Sequence, residues 1–383
     1  MSIRFIHFSD THLGFSDLDN QNSEGVNIRE QDFYNSFSHI IDKIIEEKPD
    51  FAVHTGDLFH RSSPSNRTIV FALNEIRRLS DAGIVLYIVA GNHDYPKSIF
   101  TTPIYNIFNG LPGVKIIFSE SYEVIETAEY IIHALPHINE DTHFLDECLN
   151  IKVKDKSKPN FLFMHLSVGR SYLMDEFGER VFPAELMPVL NEFVYVGLGH
   201  WHKYQFLQSY GNVYYSGSTD RLSEKEAGDQ KGYISVKIDG KSDVLFHPIN
   251  SRPFEKLEIP DCFVKTKEDI IQELKKFYEL KRDALTECIL AIHFSDLDSS
   301  QLYNVTSKDI NEIFPEALHI SISRSVKDSG EKLLTSASSF DLKEQLSTEM
   351  KKSFLDDKEF SKVQQLTMNL LSQLEEEEAN ANQ

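Results

Sequence analysis

"IRFIHFSDTHLG", residues 3–14, places an alternating apolar run directly before an acid and an imidazole two positions apart, Asp10 and His12. The apolar run Ile3 to Phe8 predicts a β-strand. A polar strand end is unremarkable alone, so the reading depends on whether other strand ends supply partners. Five more strands are expected over residues 51–55, 85–90, 130–135, 161–165 and 195–198. The second is followed by Gly56 and Asp57 within "HTGDLFH". The third is followed by Gly91, Asn92, His93 and Asp94. His165 closes "FLFMH", and Gly199-His200-Trp201-His202 follows "VYVGL". Sites in α/β proteins form outside the carboxyl ends of strands, so these residues are expected to converge.

Asp10, His12, Asp57, Asn92, His165, His200 and His202 offer oxygen and imidazole donors without a thiolate. That set suits manganese, iron or zinc in a catalytic site better than a structural zinc or a calcium ion. Seven donors exceed one tetrahedral ion and fit two ions with one bridging carboxylate. Two ions about 3.5–4 Å apart activate water and hold the oxygens of a phosphoryl displacement. Gly56, Gly91 and Gly199 let the chain turn sharply beside the donors.

Between the first two strands, Phe33, Phe37, Ile40, Ile41 and Ile44 share one helical face, and Pro49 follows as a stop. A second helix is expected after Pro64, carrying Val70, Leu73 and Ile76 up to Gly83. Beyond residue 200 the pattern turns to hairpins, with Asp239-Gly240 as a turn signal. The fold class expected is α/β, with two packed mixed β-sheets flanked by helices over residues 1–250. A small α+β unit follows over 251–328, reading strand, helix (267–280), strand (288–294), helix (307–313), strand (318–323). A Ser-rich linker, 329–340, precedes C-terminal helices within 341–383. Their apolar stripes are Leu342, Leu346, Met350, Phe354 and Phe360, Val363, Leu366, Leu370, Leu374. They suit docking on a partner helix, and "EEEE" at 375–378 reads as a solvated tail.

The 383 residues exceed one compact core, and 40% hydrophobic residues support substantial burial. Cys148, Cys262 and Cys288 are odd in number and widely spaced, which argues against a disulfide framework and for the cytoplasm. No apolar run of about 18 residues is present, so no membrane span is expected. The net charge of -21 excludes coating nucleic acid through a global positive field. It leaves open a local nucleic-acid site, because bound cations reverse the sign locally.

The five motifs, in this order and spacing, resemble those of the calcineurin-like metallophosphoesterases. The resemblance implies an α/β/β/α sandwich in which Asp10, His12, Asp57 and His202 bind one ion. Asp57, Asn92, His165 and His200 would bind the other, with Asp57 bridging. His93 would protonate the leaving oxygen or stabilise transition-state charge, oriented by Asp94.

"GDLFHRSSPS", "GNHD", "GHWHK", "YSGSTDR" and the helix "IREQDFYNSFSHII" are similar to those of the SbcD-type, or "meiotic recombination eleven", double-strand-break repair nucleases. That resemblance implies a DNA exonuclease and endonuclease, with manganese as the first choice of metal and His60 helping to place the phosphodiester. It further implies a capping unit at DNA ends, a homodimer, and an SMC-like coiled-coil ATPase of the SbcC or "Rad-fifty" type docked by the C-terminal helices. Two other readings stand beside it. One keeps the site for a phosphodiesterase or phosphatase of small nucleotides. The other makes the chain a DNA-end tether with a silent site, against which the intact donor set argues. His7, His54, His133 and His137 read as structural.

Overall fold

The computed structural model describes residues 2–326, apart from 96–101, 175–178 and 302–303. The expected linker and C-terminal helices lie outside the described residues. Strand β1 (Ile3–Phe8) runs into helix α1 (Ile28–Glu47), then β2 (Phe51–Thr55), α2 (Asn66–Asp81) and β3 (Leu86–Val89). β4 (Val114–Ile117), β5 (Glu123–Glu126) and β6 (Ile131–Leu135) lead to α3 (Asp141–Leu149) and β7 (Asn160–His165). β8 (Tyr195–Gly199), β9 (Gln205–Phe206), β10 (Val213–Tyr215), β11 (Gly232–Asp239) and β12 (Lys241–Pro248) follow. They form two six-stranded mixed sheets, in the orders β12-β11-β1-β2-β3-β4 and β5-β6-β7-β8-β10-β9.

Side-chain alternation builds the layers. In β1, Ile3 and Phe5 point between the sheets, where they join Phe51, Phe161, Phe163 and Tyr195. Ile6 and Phe8 point the other way, onto Phe37, Ile40, Ile41 and Ile44 of α1. In β7, Phe161 and Phe163 lie between the sheets, while Leu162 and Met164 face an outer core with Phe144 of α3. The expected sandwich is therefore present, with three apolar layers fixed by period-two strands and period-3.6 helices.

Local signals set the helix ends. Asn27 caps α1 through its side chain, and Lys48 closes it in the left-handed conformation one residue before Pro49. Ser65 caps α2 by accepting from the Thr68 amide. Val70, expected on the buried face, is 56% exposed; Thr68, Ala72, Ile76 and Leu79 face inward instead. Sequence reading missed β4, β5 and α3, because short strands and a nine-residue helix carry weak periodicity. It also expected hairpins after residue 200. β9–β10 and β11–β12 are both antiparallel hairpins, and β10 in addition pairs parallel with β8.

A parallel three-stranded sheet follows: β13 (Phe254–Ile259), β14 (Ile289–Leu297) and β15 (His319–Val326). Helices α4 (Lys267–Leu285) and α5 (Ser307–Ile313) connect its strands. Its own core includes Leu274, Leu290, Ile292 and Ile310. Both helices open on capping boxes, Thr266 with Asp269 and Thr306 with Asp309. Arg252 forks onto Asp32 of α1 at 2.6 and 2.9 Å, tying this sheet's entry to the sandwich.

Candidate metal centre

The carboxyl ends of β1, β2, β3, β7 and β8 meet at one end of the sandwich. The loops after β1 and β2 continue to pair past the strands. The Asp10 amide donates to Gly56 O at 3.0 Å, and the His12 amide to Asp57 O at 3.0 Å. Asp10 (φ 51°), His12 (φ 38°), Asp57 (φ 56°) and His200 (φ 92°) all occupy left-handed backbone. Such conformations cost about 1–3 kcal/mol each in non-glycine residues and gather at functional sites.

Asp57 stands at the middle. Its Oδ2 lies 3.4 Å from His165 Nε2 and 3.8 Å from His12 Nε2. His12 Nε2 in turn lies 3.2 Å from His202 Nε2. Asp10, His12 and His202 form one compact donor group, and Asp10, Asp57 and His165 a second. Asn92 Oδ1 is 3.0 Å from His165 Nε2. The His200 amide donates to Asp10 Oδ1 at 3.0 Å, and its ring lies 5.5 Å from that of His165. All seven expected donors are thus neighbours, and the six other than Asn92 are buried.

The donors fit divalent cations. Asp57 Oδ2 is buried, and no hydrogen bond reaches it. A buried carboxylate oxygen that faces imidazoles at 3.4 and 3.8 Å without a hydrogen bond from either is a costly arrangement unless a cation completes it. Burial also pulls the His12 imidazole well below its usual range, which keeps it neutral as a ligand requires. Burial pulls His165 down too, but the Asp57 and Asp10 carboxylates outweigh it and raise it to about 9.

Close approach explains two glycines. A Cβ on Gly91 would lie 2.1 Å from Asp57 Oδ1, and one on Gly199 1.9 Å from Thr55 O. Neither glycine is needed for its backbone angle; each is needed for space.

Residues 3–204 match the family model of the calcineurin-like phosphoesterases. The chain is 30% identical over 287 residues to the DNA double-strand break repair protein Mre11 of Sulfolobus acidocaldarius, covering 72% of this chain and 71% of that protein. The chain belongs to the Mre11-type calcineurin-like phosphoesterases. These are metal-dependent phosphodiesterases. The Mre11 protein of Sulfurisphaera tokodaii is 29% identical over 319 residues, 81% of this chain and 77% of its own length. Among solved structures, a dimetal phosphatase from Danio rerio superposes with a TM-score of 0.41 at 12% identity, over 64% of this chain and 96% of its own.

His60 and His93 flank the donors. His12 packs edge-on against His93 at 4.9 Å and His60 at 5.5 Å. The His93 amide donates to Asp57 Oδ1 at 3.0 Å, and its Nδ1 lies 3.0 Å from His60 O. The expected orientation of His93 by Asp94 is not what the carboxylate does. Asp94 accepts from the Leu58 and Phe59 amides at 3.0 and 2.7 Å and from the Tyr105 hydroxyl at 2.5 Å. It anchors the loop that carries Asp57, while the His60 carbonyl orients His93. Burial, with Asp57 beside it, pushes Asp94 up to about 6.

Two carboxylates escaped sequence reading. Glu179 Oε1 lies 2.8 Å from His200 Nε2, and Glu226 Oε1 lies 3.2 Å from His202 Nδ1. Burial opposes both charges. Hydrogen bonds from His200, Ser167 and the Met174 amide outweigh it and hold Glu179 at about 2. His202 and Lys231 do the same for Glu226, also at about 2. A carboxylate on one ring nitrogen fixes the tautomer and commits the other nitrogen to a metal. His202 therefore presents Nε2, and His200 is left with Nδ1. Neither glutamate sits in a motif with a fixed spacing to its histidine, so sequence alone held no signal for them.

His7, His54 and His133 are buried and hydrogen-bonded within the sandwich. His7 bridges the sheets between the Tyr195 hydroxyl and Thr55 Oγ1, both at 2.8 Å. His54 Nε2 meets Thr11 Oγ1 at 3.0 Å, and His133 Nε2 meets Asn160 Oδ1 at 2.7 Å. The three cysteines are free and buried. Among the described residues, no helix is long and apolar enough to cross a membrane.

Proposed function

We propose that the chain is a two-metal DNA nuclease of double-strand-break repair, acting as an exonuclease on duplex ends and an endonuclease on single strands. The observation that carries the reading is the convergence of seven donors on the Asp57 carboxylate, whose Oδ2 is buried without a hydrogen-bond donor. Asp10, His12, Asp57 and His202 would hold one ion, and Asp57, Asn92, His165 and His200 the other. When bound, two divalent ions, with manganese the first choice, supply Lewis-acid stabilisation and an activated water for phosphodiester hydrolysis.

The chain's own residues supply the rest. The His60 carbonyl accepts from His93 Nδ1–H, so His93 uses Nε2 for proton transfer to the departing sugar oxygen. His60, packed on His12 and His93, helps seat the phosphodiester. Carboxylates behind His200 and His202 hold these rings against rotation.

Homology to Mre11 proteins supports DNA ends as substrate and an SMC-like coiled-coil ATPase as partner. The three-stranded unit from residue 251 onward would act as the DNA-binding cap. A homodimer through α1 and α2 completes the reading, with Val70 exposed on α2.

The test is hydrolysis of an end-labelled linear duplex by the purified chain with manganese, with magnesium and with chelator. Manganese-dependent shortening, absent in His93→Ala, is expected. Cleavage of bis-p-nitrophenyl phosphate without DNA shortening, even with the ATPase added, would move the substrate to small nucleotides.

A further inference from the structure

Glu226, which orients His202, belongs to a short turn whose other end touches the three-stranded sheet. The turn is Glu224–Glu226. It is held by its own backbone: the Glu226 amide donates to Ser223 O at 3.1 Å, Ala227 to Glu224 O at 3.1 Å, and Asp229 to Glu226 O at 3.0 Å. These bonds fix the backbone between Glu224 and Glu226.

On the metal side, Glu226 Oε1 faces His202 Nδ1 at 3.2 Å, and its Oε2 pairs with Lys231 Nζ. The buried Lys231 also donates to His202 O at 2.8 Å and to Ser218 Oγ at 2.9 Å. Ring and backbone of His202 are therefore clamped through one carboxylate–ammonium pair. On the other side, Glu224 Oε2 accepts from His293 Nε2 of β14 at 2.9 Å. His293 Nδ1 is engaged in turn by the Ser323 hydroxyl of β15.

We infer that the turn Glu224–Glu226 is a positioning element that ties metal ligand His202 to the three-stranded sheet through His293. A shift of that sheet would pull on Glu224, rotate the turn and change the angle at which His202 is held. The sheet then tunes the metal centre without supplying a ligand. The inference rests on the metal reading of the site and is independent of which phosphodiester is cleaved.

The experiment is calorimetric titration of manganese into the full chain and its variants, each checked for its metal-free melting temperature. Glu226→Gln is expected to weaken one of two manganese sites about 10–100-fold, the scale of losing a carboxylate behind a ligating histidine. His293→Ala and Glu224→Ala, both at a partly exposed pair, are expected to weaken that same site about threefold each. The double variant is expected to be no weaker than either single one, because both remove the same tie. Wild-type affinity in His293→Ala, or additive losses in the double variant, would overturn the link and leave the metal centre standing. Failure of the wild-type chain to bind manganese would instead remove the metal reading itself.

Discussion

Gly91→Ala isolates a single physical cause. Gly91 does not need a left-handed backbone, so alanine is acceptable to its backbone angle. The whole cost comes from the new methyl group, which would sit 2.1 Å from Asp57 Oδ1 and 2.4 Å from the Asp57 amide nitrogen. Ordinary contact begins near 3.4 Å, so more than 1 Å of overlap must be relieved. Asp57 cannot yield on its other side, because its loop is pinned by the Asp94 carboxylate and by pairing with the loop of His12. Overpacking of this kind costs about 1–3 kcal/mol of stability. The larger effect falls on chemistry, since displacing a reacting or ligating group by about 1 Å costs on the order of 100-fold in rate. Manganese-dependent turnover of bis-p-nitrophenyl phosphate should fall by about that factor, with manganese affinity lowered at both sites. Gly110→Ala is the control: its Cβ meets nothing within 4 Å, and only its φ of +91° is strained. It should lose stability and keep affinity. A Gly91→Ala chain with wild-type turnover and affinity would refute the argument that this glycine makes room for the Asp57 carboxylate.

His93→Ala should lose about 10²–10⁴ in kcat while keeping manganese affinity; a parallel loss of affinity by calorimetry would make it a ligand instead. Saturating manganese at about 100 times Kd should raise the stability of the wild-type chain by about 2.7 kcal/mol, read as a thermal shift. Asp57→Asn should abolish that shift. Glu179→Gln should weaken manganese binding at the His200 site about 10–100-fold, with the other site unchanged in the same titration. Acid should destabilise the fold through His7 and His54, which burial pulls to about 3. The unfolded chain takes up these protons near pH 6.5 and the folded chain does not, so stability falls as pH drops below 6.5. The loss is about 1.4 kcal/mol per pH unit for each histidine until its folded value is reached. Urea unfolding of His54→Gln should show about 2 kcal/mol less loss between pH 6.5 and 5 than the wild type.

The strands that carry the site were legible because each is a short apolar run ending in a glycine, an acid or an imidazole. β1 and β2 fall on the short, largely apolar runs Ile3–Phe8 and Phe51–Thr55, which are buried at all but one position. The five donor-bearing strand ends were legible for the same reason: side chains that meet in space were each marked by the local strand-to-loop transition. Other residues gave no such mark. Glu179 and Glu226 reach their histidines from 21 and 24 residues away, through loops whose path only packing decides. Asp94 lies in a recognisable motif, yet its partners, the Leu58 and Phe59 amides and Tyr105, become its partners only when the loops after β2 and β3 fold together.

By itself, then, the sequence determined the donor-bearing strands, the longer helices and which side chains could bind metal, because strand period, turn residues and donor type are local properties; β4, β5 and α3 carried too weak a pattern. Only the tertiary structure decided which nitrogen each histidine presents, which carboxylate stands behind it, and that Asp57 Oδ2 is left without a hydrogen bond. Those outcomes follow from burial and long-range contact, where desolvation penalises a buried polar group that lacks a partner.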